Sequence, residues 1–183
     1  MRTLLVCFIA LMLLAACAAP ILTENGRLLP PPGQGYVIAA VTVDSLNHNS
    51  SNAGIHLEGA NINLWPQTDI DTDLIHAPGI KSDSAGKVYV IALPPGNYRV
   101  SQIYGSAPGV NFGLTYKFPL DERFELEAGQ VVYLGDYHMS TNFEPHFSRS
   151  DTRHRDFNDL TVRYGITDFS NVTVRLPQPH TRQ

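Results

Sequence analysis

Hydrophobic residues are arranged in two different ways along this chain. Near the start, residues 4–14 form an unbroken apolar stretch of 11 residues. From residue 36 onward, apolar and polar residues alternate over short segments. The first pattern is too short for a bilayer-spanning helix, which needs about 20 apolar residues, and it indicates a removable targeting segment. The second pattern has the period of two that β-strands show.

The alternating segments predict a mainly β domain. In residues 36–43, for example, the odd-numbered positions are all apolar and share one face of a strand. At Gly59 the alternation shifts by one residue, which predicts a β-bulge. The predicted strands are residues 36–43, 55–64, 88–93, 98–104, 112–118, 124–126, 131–134 and 172–176. Short strands with turn signals at this spacing are typical of a sandwich or barrel, and we expect an antiparallel β-sandwich.

One short helix is predicted near the C-terminus. Phe157, Leu160 and Tyr164 are spaced at i, i+3 and i+7, as on one face of a helix. Gly165 follows as a stop signal. Two carboxylates, Asp151 and Asp156, are candidates to cap its first turn.

Composition limits the classes of partner. Without residues 1–16, the remaining 167 residues carry 12 basic and 17 acidic side chains, a net charge of −5. That length suits a single domain with a sizeable core. The mildly acidic balance argues against a nucleic-acid partner, which would need a basic face, and against a polybasic membrane patch.

The first seventeen residues resemble a bacterial lipoprotein signal peptide. Arg2 precedes the apolar stretch, and Leu14-Ala15-Ala16-Cys17 resembles a lipobox. The resemblance implies cleavage before Cys17 and acylation of Cys17, so that the membrane is contacted through lipid. Ala18 follows the pattern of outer-membrane lipoproteins, with the domain in the periplasm or at the cell surface. The alternative is an ordinary secretory signal that is cleaved within residues 16–19.

Lipidation of Cys17 would leave the folded domain without a thiol, because the other cysteine, Cys7, lies in the removable segment. Four regions are therefore predicted. They are a signal peptide at 1–16, a lipidated cysteine with a Pro-rich tether at 17–34, one β-sandwich domain at 35–178, and a tail at 179–183. The tether contains three consecutive prolines, residues 30–32, and could extend to roughly 50 Å.

Two segments predict hairpins and carry a resemblance. Residues 82–100 include a turn, a strand, Leu93-Pro94-Pro95-Gly96 and a second strand, and residues 124–135 include two strands around Ala128-Gly129. In the first hairpin, Val88 and Val90 would face Tyr98 and Val100. Both segments resemble carboxypeptidase-regulatory-like and transthyretin-like (prealbumin-like) β-sandwich modules, over about a third of the mature chain. That resemblance implies a mostly non-catalytic module that binds carbohydrate or protein, or acts as a spacer.

Acidic and histidine-rich segments are candidate metal sites. Asp69, Asp71 and Asp73 alternate like the first ligands of a Ca²⁺ loop, but the Gly and the bidentate Glu of an EF-hand are missing. A solvated acidic loop is the alternative for these carboxylates. A second set could bind Zn²⁺, although its eight-residue intervals fit no tight ligand spacing, and surface histidines are the alternative. It consists of His138, His146 and His154 with Glu144, Asp151 and Asp156.

Four aromatic residues are candidates for a sugar-stacking face, with core or edge packing as the alternative: Trp65, Tyr104, Phe112 and Phe143. Motifs of serine hydrolases, zinc peptidases and phosphate-binding loops are missing from the sequence. We therefore expect a non-enzymatic, cofactor-free lipoprotein of the cell envelope that binds an envelope protein or polysaccharide, or serves a structural role. The alternatives are an accessory lipoprotein of a secretion or surface-assembly machine and a hydrolase of envelope polymers.

Overall fold

The computed structural model describes residues 21–46, 51–79, 84–108 and 113–176. Within these ranges the chain forms strands and one helix, α1 (Arg153–Tyr164). The strands are β1 (Thr23–Glu24), β2 (Arg27–Leu28), β3 (Gly35–Asp44), β4 (Asn52–Gly59), β5 (Ile62–Leu64), β6 (Gln67–Asp69), β7 (Leu74–Ile75), β8 (Ser84–Leu93), β9 (Gly96–Ala107), β10 (Leu114–Leu126), β11 (Val131–Ser140), β12 (His146–Ser150) and β13 (Val172–Val174).

Two larger sheets form the body of the fold. The five-stranded sheet has the order β10-β9-β4-β5, and β6 also pairs with β4. The six-stranded sheet has the order β12-β11-β3-β8-β7, and β13 also pairs with β11. The prediction of a mainly β fold is confirmed. The expectation of purely antiparallel pairing is wrong for the six-stranded sheet, because β11 runs parallel to both β3 and β13.

The main hydrophobic core lies between these two sheets. Strand β3 contributes Val37 and Val41, and strands β4 and β9 contribute Ile55 and Ile103, all almost fully buried. The opposite face of β3 is buried as well, in a second core that contains Ile38 of β3 and Leu160 of α1. Both faces of β3 are therefore buried, as expected for a strand in the middle one of three layers.

Both predicted hairpins are instead connections between the two sheets. Strand β8 belongs to the six-stranded sheet and β9 to the five-stranded sheet, so the Pro94-Pro95 segment crosses from one layer to the other. The turn at Ala128-Gly129 likewise joins β10 to β11 across the layers. The predicted contact of Val88 with Tyr98 is wrong for this reason, because Val88 lies in the second core and Tyr98 in the first.

The phase shift at Gly59 has a different origin from the predicted bulge. Strands β4 and β5 form a tight hairpin whose two turn residues, Ala60 and Asn61, have φ values of 45° and 64°. Positive φ at both positions is what a type I′ turn requires. The register shift in β4 lies earlier, between His56 and Leu57. Residues 114–118 and 124–126, predicted as parts of two strands, belong to the single strand β10, with a register shift at Pro119 to Glu122.

Helix α1 confirms the predicted C-terminal helix. Gly165 ends it in the left-handed conformation, with φ of 69°, and donates its N–H to the Thr161 carbonyl. Asp151 accepts a hydrogen bond from the Arg153 N–H at 3.2 Å, in the first turn. Asp156 does not cap the helix, because its buried carboxylate accepts the Tyr133 hydroxyl at 2.6 Å.

Residues 21–34 pack on the domain, although the sequence predicts them to belong to an extended tether. Strands β1 and β2 form a small hairpin, and Leu28 is only 2% exposed in the second core. The Leu22 N–H donates to the Tyr36 hydroxyl at 3.0 Å. In the described part of the chain, no helix is long and apolar enough to cross a membrane.

Candidate functional site

The outer face of the five-stranded sheet carries the candidate site. In β4 the inward positions are Ala53, Ile55 and Leu57, which belong to the core. Because side chains alternate along a strand, His56 and Glu58 project to the opposite face. Strand β9 pairs with β4, so its outward residues stand beside these two side chains.

A stack of rings occupies this face. The Trp65 and His56 ring centroids are 3.9 Å apart, and the ring planes are inclined by only 6°. Tyr104 of β9 also contacts Trp65, with ring centroids 5.6 Å apart and planes inclined by 60°. Trp65 is nevertheless 51% exposed. Because His56 covers one face of the indole, much of that exposed area belongs to the opposite face. We call His56, Trp65 and Tyr104 the aromatic platform.

Gly54 makes room for the Tyr104 ring. It stands opposite Tyr104 in the pairing of β4 with β9. A Cβ atom on Gly54 would overlap the Tyr104 ring, so the ring lies directly over the glycine backbone. The Tyr104 hydroxyl donates to the Gln67 side-chain oxygen at 3.3 Å. Burial also raises the pKa of the Tyr104 phenol, which keeps its proton at neutral pH.

Hydrogen bonds hold the His56 ring in place under the indole. Its Nε2 lies 2.7 Å from the Asn63 side-chain oxygen. Its Nδ1 lies 2.8 Å from the Ser101 hydroxyl. With both ring nitrogens bonded, the imidazole is a fixed support for Trp65.

A charged border adjoins the aromatic platform. The Arg99 guanidinium donates to the Glu58 carboxylate, with Nε to Oε1 at 2.8 Å, and this hydrogen bond lowers the pKa of Glu58. Glu58 also lies 3.7 Å from the His56 Nε2. The face therefore presents an exposed aromatic surface next to ionised and amide groups that can exchange hydrogen bonds with a ligand.

The structure brings together two of the four predicted aromatic residues. Trp65 and Tyr104 are neighbours on the platform, whereas Phe143 is 93% exposed in the segment after β11. Phe112 lies outside the described residues. Sequence reasoning missed His56; the signal that could have found it is its outward position in the alternation of β4.

Two carboxylates of the acidic loop, residues 69–73, accept hydrogen bonds from backbone N–H groups of the same loop. Asp69 accepts the Asp71 N–H at 2.8 Å, and Asp73 accepts the Asp69 N–H at 3.1 Å. Lys87 lies 3.8 Å from Asp73. Among the residues that the structure describes, no three or more acidic, histidine or cysteine side chains are grouped so that they could hold a metal ion.

The predicted zinc ligands are distributed over different elements and partners. His138 lies in β11 with its Nδ1 2.9 Å from the Thr42 hydroxyl, His146 in β12 bonds the Glu144 carbonyl at 2.8 Å, and His154 is exposed on α1. Asp151 accepts hydrogen bonds from Arg153. Another histidine, His76, contacts the buried carboxylate of Asp159 at 2.7 Å.

Cys17, the predicted lipidation site, lies outside the described residues. Comparisons of the chain with protein-family models, with curated proteins and with solved structures found no match.

Proposed function

We propose that this protein is a lipid-anchored, glycan-binding lipoprotein of the cell envelope. The observation that carries the proposal is the aromatic platform, in which a half-exposed indole is supported from behind by the His56 ring. A rigid aromatic surface of this kind can cover the apolar face of a sugar ring at little cost in side-chain entropy.

The polar groups around the platform suit the hydroxyls of a sugar. Asn63 and Gln67 are exposed, and their side-chain amides contact His56 and Tyr104 of the platform. Glu58 and Arg99 form the charged border. Binding sites for small ligands commonly combine an apolar surface with a few polar groups that fix orientation.

Anchoring and fold class complete the proposal. The lipobox-like segment ending at Cys17 supports attachment through lipid, with the domain at the outer membrane. The two packed sheets are compatible with a transthyretin-like sandwich, although the connections at Pro94-Pro95-Gly96 and at Ala128-Gly129 both cross between layers. Carbohydrate binding is among the roles that this resemblance implies.

Replacement of Trp65 by alanine tests the platform. We expect Trp65→Ala to weaken glycan binding by about 30-fold, the effect of removing a central aromatic contact. The measurement is binding of the full chain to a glycan array that includes peptidoglycan and lipopolysaccharide fragments, followed by titration with the glycan retained. Phe143→Ala is the matched control, since it removes an exposed aromatic side chain away from the platform. Equal binding by both variants, or no glycan retained by the unmodified chain, would reject the proposal.

A further inference from the structure

A groove adjoins the aromatic platform at the end of the five-stranded sheet. Glu58, which lies 3.7 Å from the His56 Nε2, and Arg99 are both among its lining residues. Its volume of about 820 Å³ falls in the range of small-ligand sites. We call it the sheet-end groove. Gly59, which also lines it, is three residues from His56 in β4, so the groove and the platform are about 10 Å apart along the strand.

Two rows of side chains form the walls of the sheet-end groove. In the strand pairing, Glu58, Arg99 and Arg123 lie side by side on β4, β9 and β10. Two residues further toward the end of the sheet, Asn97 of β9 lies beside Glu125 of β10. Because side chains at i and i+2 of a strand point to the same face, both rows project from the outer face of the sheet. The groove between the rows therefore runs across the strands.

The floor of the groove is formed by the residues between the two rows. Gly59, Tyr98 and Phe124 lie side by side there. The Tyr98 and Phe124 side chains point into the core, where they are only 2% and 8% exposed, and Gly59 has no side chain. The outer face therefore carries no side chain at these three positions, which leaves room for a ring of a ligand.

Close backbone contacts hold the β4–β5 hairpin at one end of the groove. A Cβ atom on Gly59 would overlap the Asn97 carbonyl oxygen, and one on Gly96 would lie 3.0 Å from the Ala60 Cβ. The hairpin is thus packed directly on the start of β9. This packing fixes the position of Asn61, a further lining residue, relative to Asn97.

The two asparagines supply free amides. Within the described ranges, neither the Asn61 nor the Asn97 side chain has a hydrogen-bond partner, and both residues are exposed. A side-chain amide donates and accepts hydrogen bonds, as a sugar hydroxyl also does. The walls can therefore bond several hydroxyls of one ligand.

The charges of the groove balance one another. Three arginines and two glutamates line it, and Asp121 lies 2.9 Å from Arg123 and 3.7 Å from Arg99. The arginines are Arg99, Arg123 and Arg175, and the glutamates are Glu58 and Glu125. With three groups of each sign, a charged ligand gains no net attraction, whereas hydroxyls can bond to either sign.

We propose that the aromatic platform and the sheet-end groove form one continuous site for an uncharged, linear glycan. One sugar ring would stack on Trp65, and the next sugars would lie in the groove between Asn97 and Arg99. Two strand spacings across the groove and the distance along β4 give a path of about 20 Å, for which a disaccharide is too short. This inference rests on the proposed function, because the platform supplies the first part of the site.

The test compares glycans of different length and charge by calorimetric titration of the full chain. The probes are β-1,4-linked dimers and tetramers of glucose and of N-acetylglucosamine, and the β-1,4-linked glucuronate tetramer. We expect an uncharged tetramer to bind at least about tenfold more tightly than its dimer, because it reaches both parts of the site. The glucuronate tetramer should bind no more tightly than the glucose tetramer, which has the same linkage without the carboxylates.

Two glutamates of one chain segment assign the gain in affinity to the groove. Glu125→Ala should weaken binding of the tetramer by about tenfold and leave binding of the dimer unchanged. Glu127→Ala is the matched control, because Glu127 is exposed two residues further on and does not line the groove. Trp65→Ala should weaken binding of both dimer and tetramer.

Three results would overturn the inference: equal binding of dimer and tetramer, tighter binding of the glucuronate tetramer, or equal effects of Glu125→Ala and Glu127→Ala. Absence of binding by both uncharged tetramers would also overturn it. In each case the glycan array still tests the proposed function separately, because retention of another glycan that depends on Trp65 would support the platform without the groove.

Discussion

At the scale of single residues, Asp168 fixes the N-terminal hairpin to the C-terminal part of the domain. Its carboxylate accepts the Ser170 N–H at 2.8 Å and the Arg27 Nε–H at 2.6 Å. These contacts, the Ser170 hydrogen bonds first, lower the pKa of Asp168 from 3.8 to about 2. The carboxylate is therefore more readily ionised in the folded than in the unfolded chain.

This difference predicts an acid-sensitive contribution to stability. Between pH 3.8 and about 2, the unfolded chain binds a proton at Asp168 that the folded chain does not, so stability falls as the pH falls. The contribution is fully present above pH 3.8. We expect Asp168→Asn to lower the melting temperature at neutral pH and to flatten its decline between pH 4 and 2, as measured by thermal unfolding.

Glu24→Gln is the control for this substitution, because it neutralises an exposed carboxylate of the hairpin that Asp168 contacts through Arg27. It should leave the decline between pH 4 and 2 as steep as in the unmodified chain. An unchanged decline in Asp168→Asn would contradict the role assigned to Asp168.

At the scale of elements, the connection from β8 to β9 shows how the chain passes between layers. The Tyr98 hydroxyl donates to the Pro94 carbonyl at 2.6 Å, while its ring lies in the core against Phe124, with centroids 5.6 Å apart. The tyrosine thus ties the crossing segment to the start of β9. A similar hydrogen bond from a tyrosine to the upstream backbone stabilises corners in other β-sandwiches.

Removal of this hydroxyl should be measurable. We expect Tyr98→Phe to lower the free energy of unfolding by about 1 kcal/mol, because the ring stays packed and one partly buried hydrogen bond is lost. Urea denaturation of the full chain provides the measurement. Tyr164→Phe, at an exposed tyrosine of α1, should have no comparable effect. Equal stability of the two variants would show that the hydroxyl does not secure the crossing.

The positions of the strands could be predicted from the sequence better than the pairing between strands. The alternation around Val37 and Val172 located β3 and β13, because a period of two depends only on local sequence. The turn at Pro94-Pro95-Gly96 favours a change of chain direction equally in a hairpin and in a crossing between sheets. The pairing of β9 with β4 and β10 depends on residues distant in the sequence, so local turn chemistry could not reveal it.

The candidate site was predictable to a similar degree. Trp65 and Tyr104 were recognisable as aromatic residues outside a clear core pattern. Their proximity required the register that places Tyr104 opposite Gly54, which is a long-range property. Likewise, the alternation of Asp69, Asp71 and Asp73 did not reveal that two of these carboxylates would bond the loop backbone.

At the scale of the whole molecule, the N-terminal hairpin belongs to the folded unit. Leu28 packs with Ile38 of β3 and Leu160 of α1, and the Asn171 amide donates to the Leu28 carbonyl at 2.9 Å. The third layer of the fold, on the outer side of the six-stranded sheet, is therefore built from both ends of the described chain. The stability of this third layer therefore depends on residues 21–34, a segment that composition alone assigns to a linker.

Two adjacent leucines distinguish a docked segment from a free one. Leu28→Ala should cost about 2–5 kcal/mol, as for a buried leucine, because Leu28 is 2% exposed. Leu29→Ala should change stability by less than about 0.5 kcal/mol, because Leu29 is 45% exposed. Urea denaturation of both variants gives the comparison. Similar small effects at the two positions would show that residues 21–34 do not contribute to the fold.

Docking of the hairpin also changes what a lipid on Cys17 would do. Four Cα–Cα steps join Cys17 to Ile21, where the described domain begins, so the separation is at most about 15 Å rather than the roughly 50 Å of a free tether. The volume accessible to the domain around its anchor shrinks by roughly 40-fold, since volume scales with the cube of reach. If the domain is anchored through Cys17, its effective concentration at a binding partner in the same membrane would therefore be higher than with a free tether.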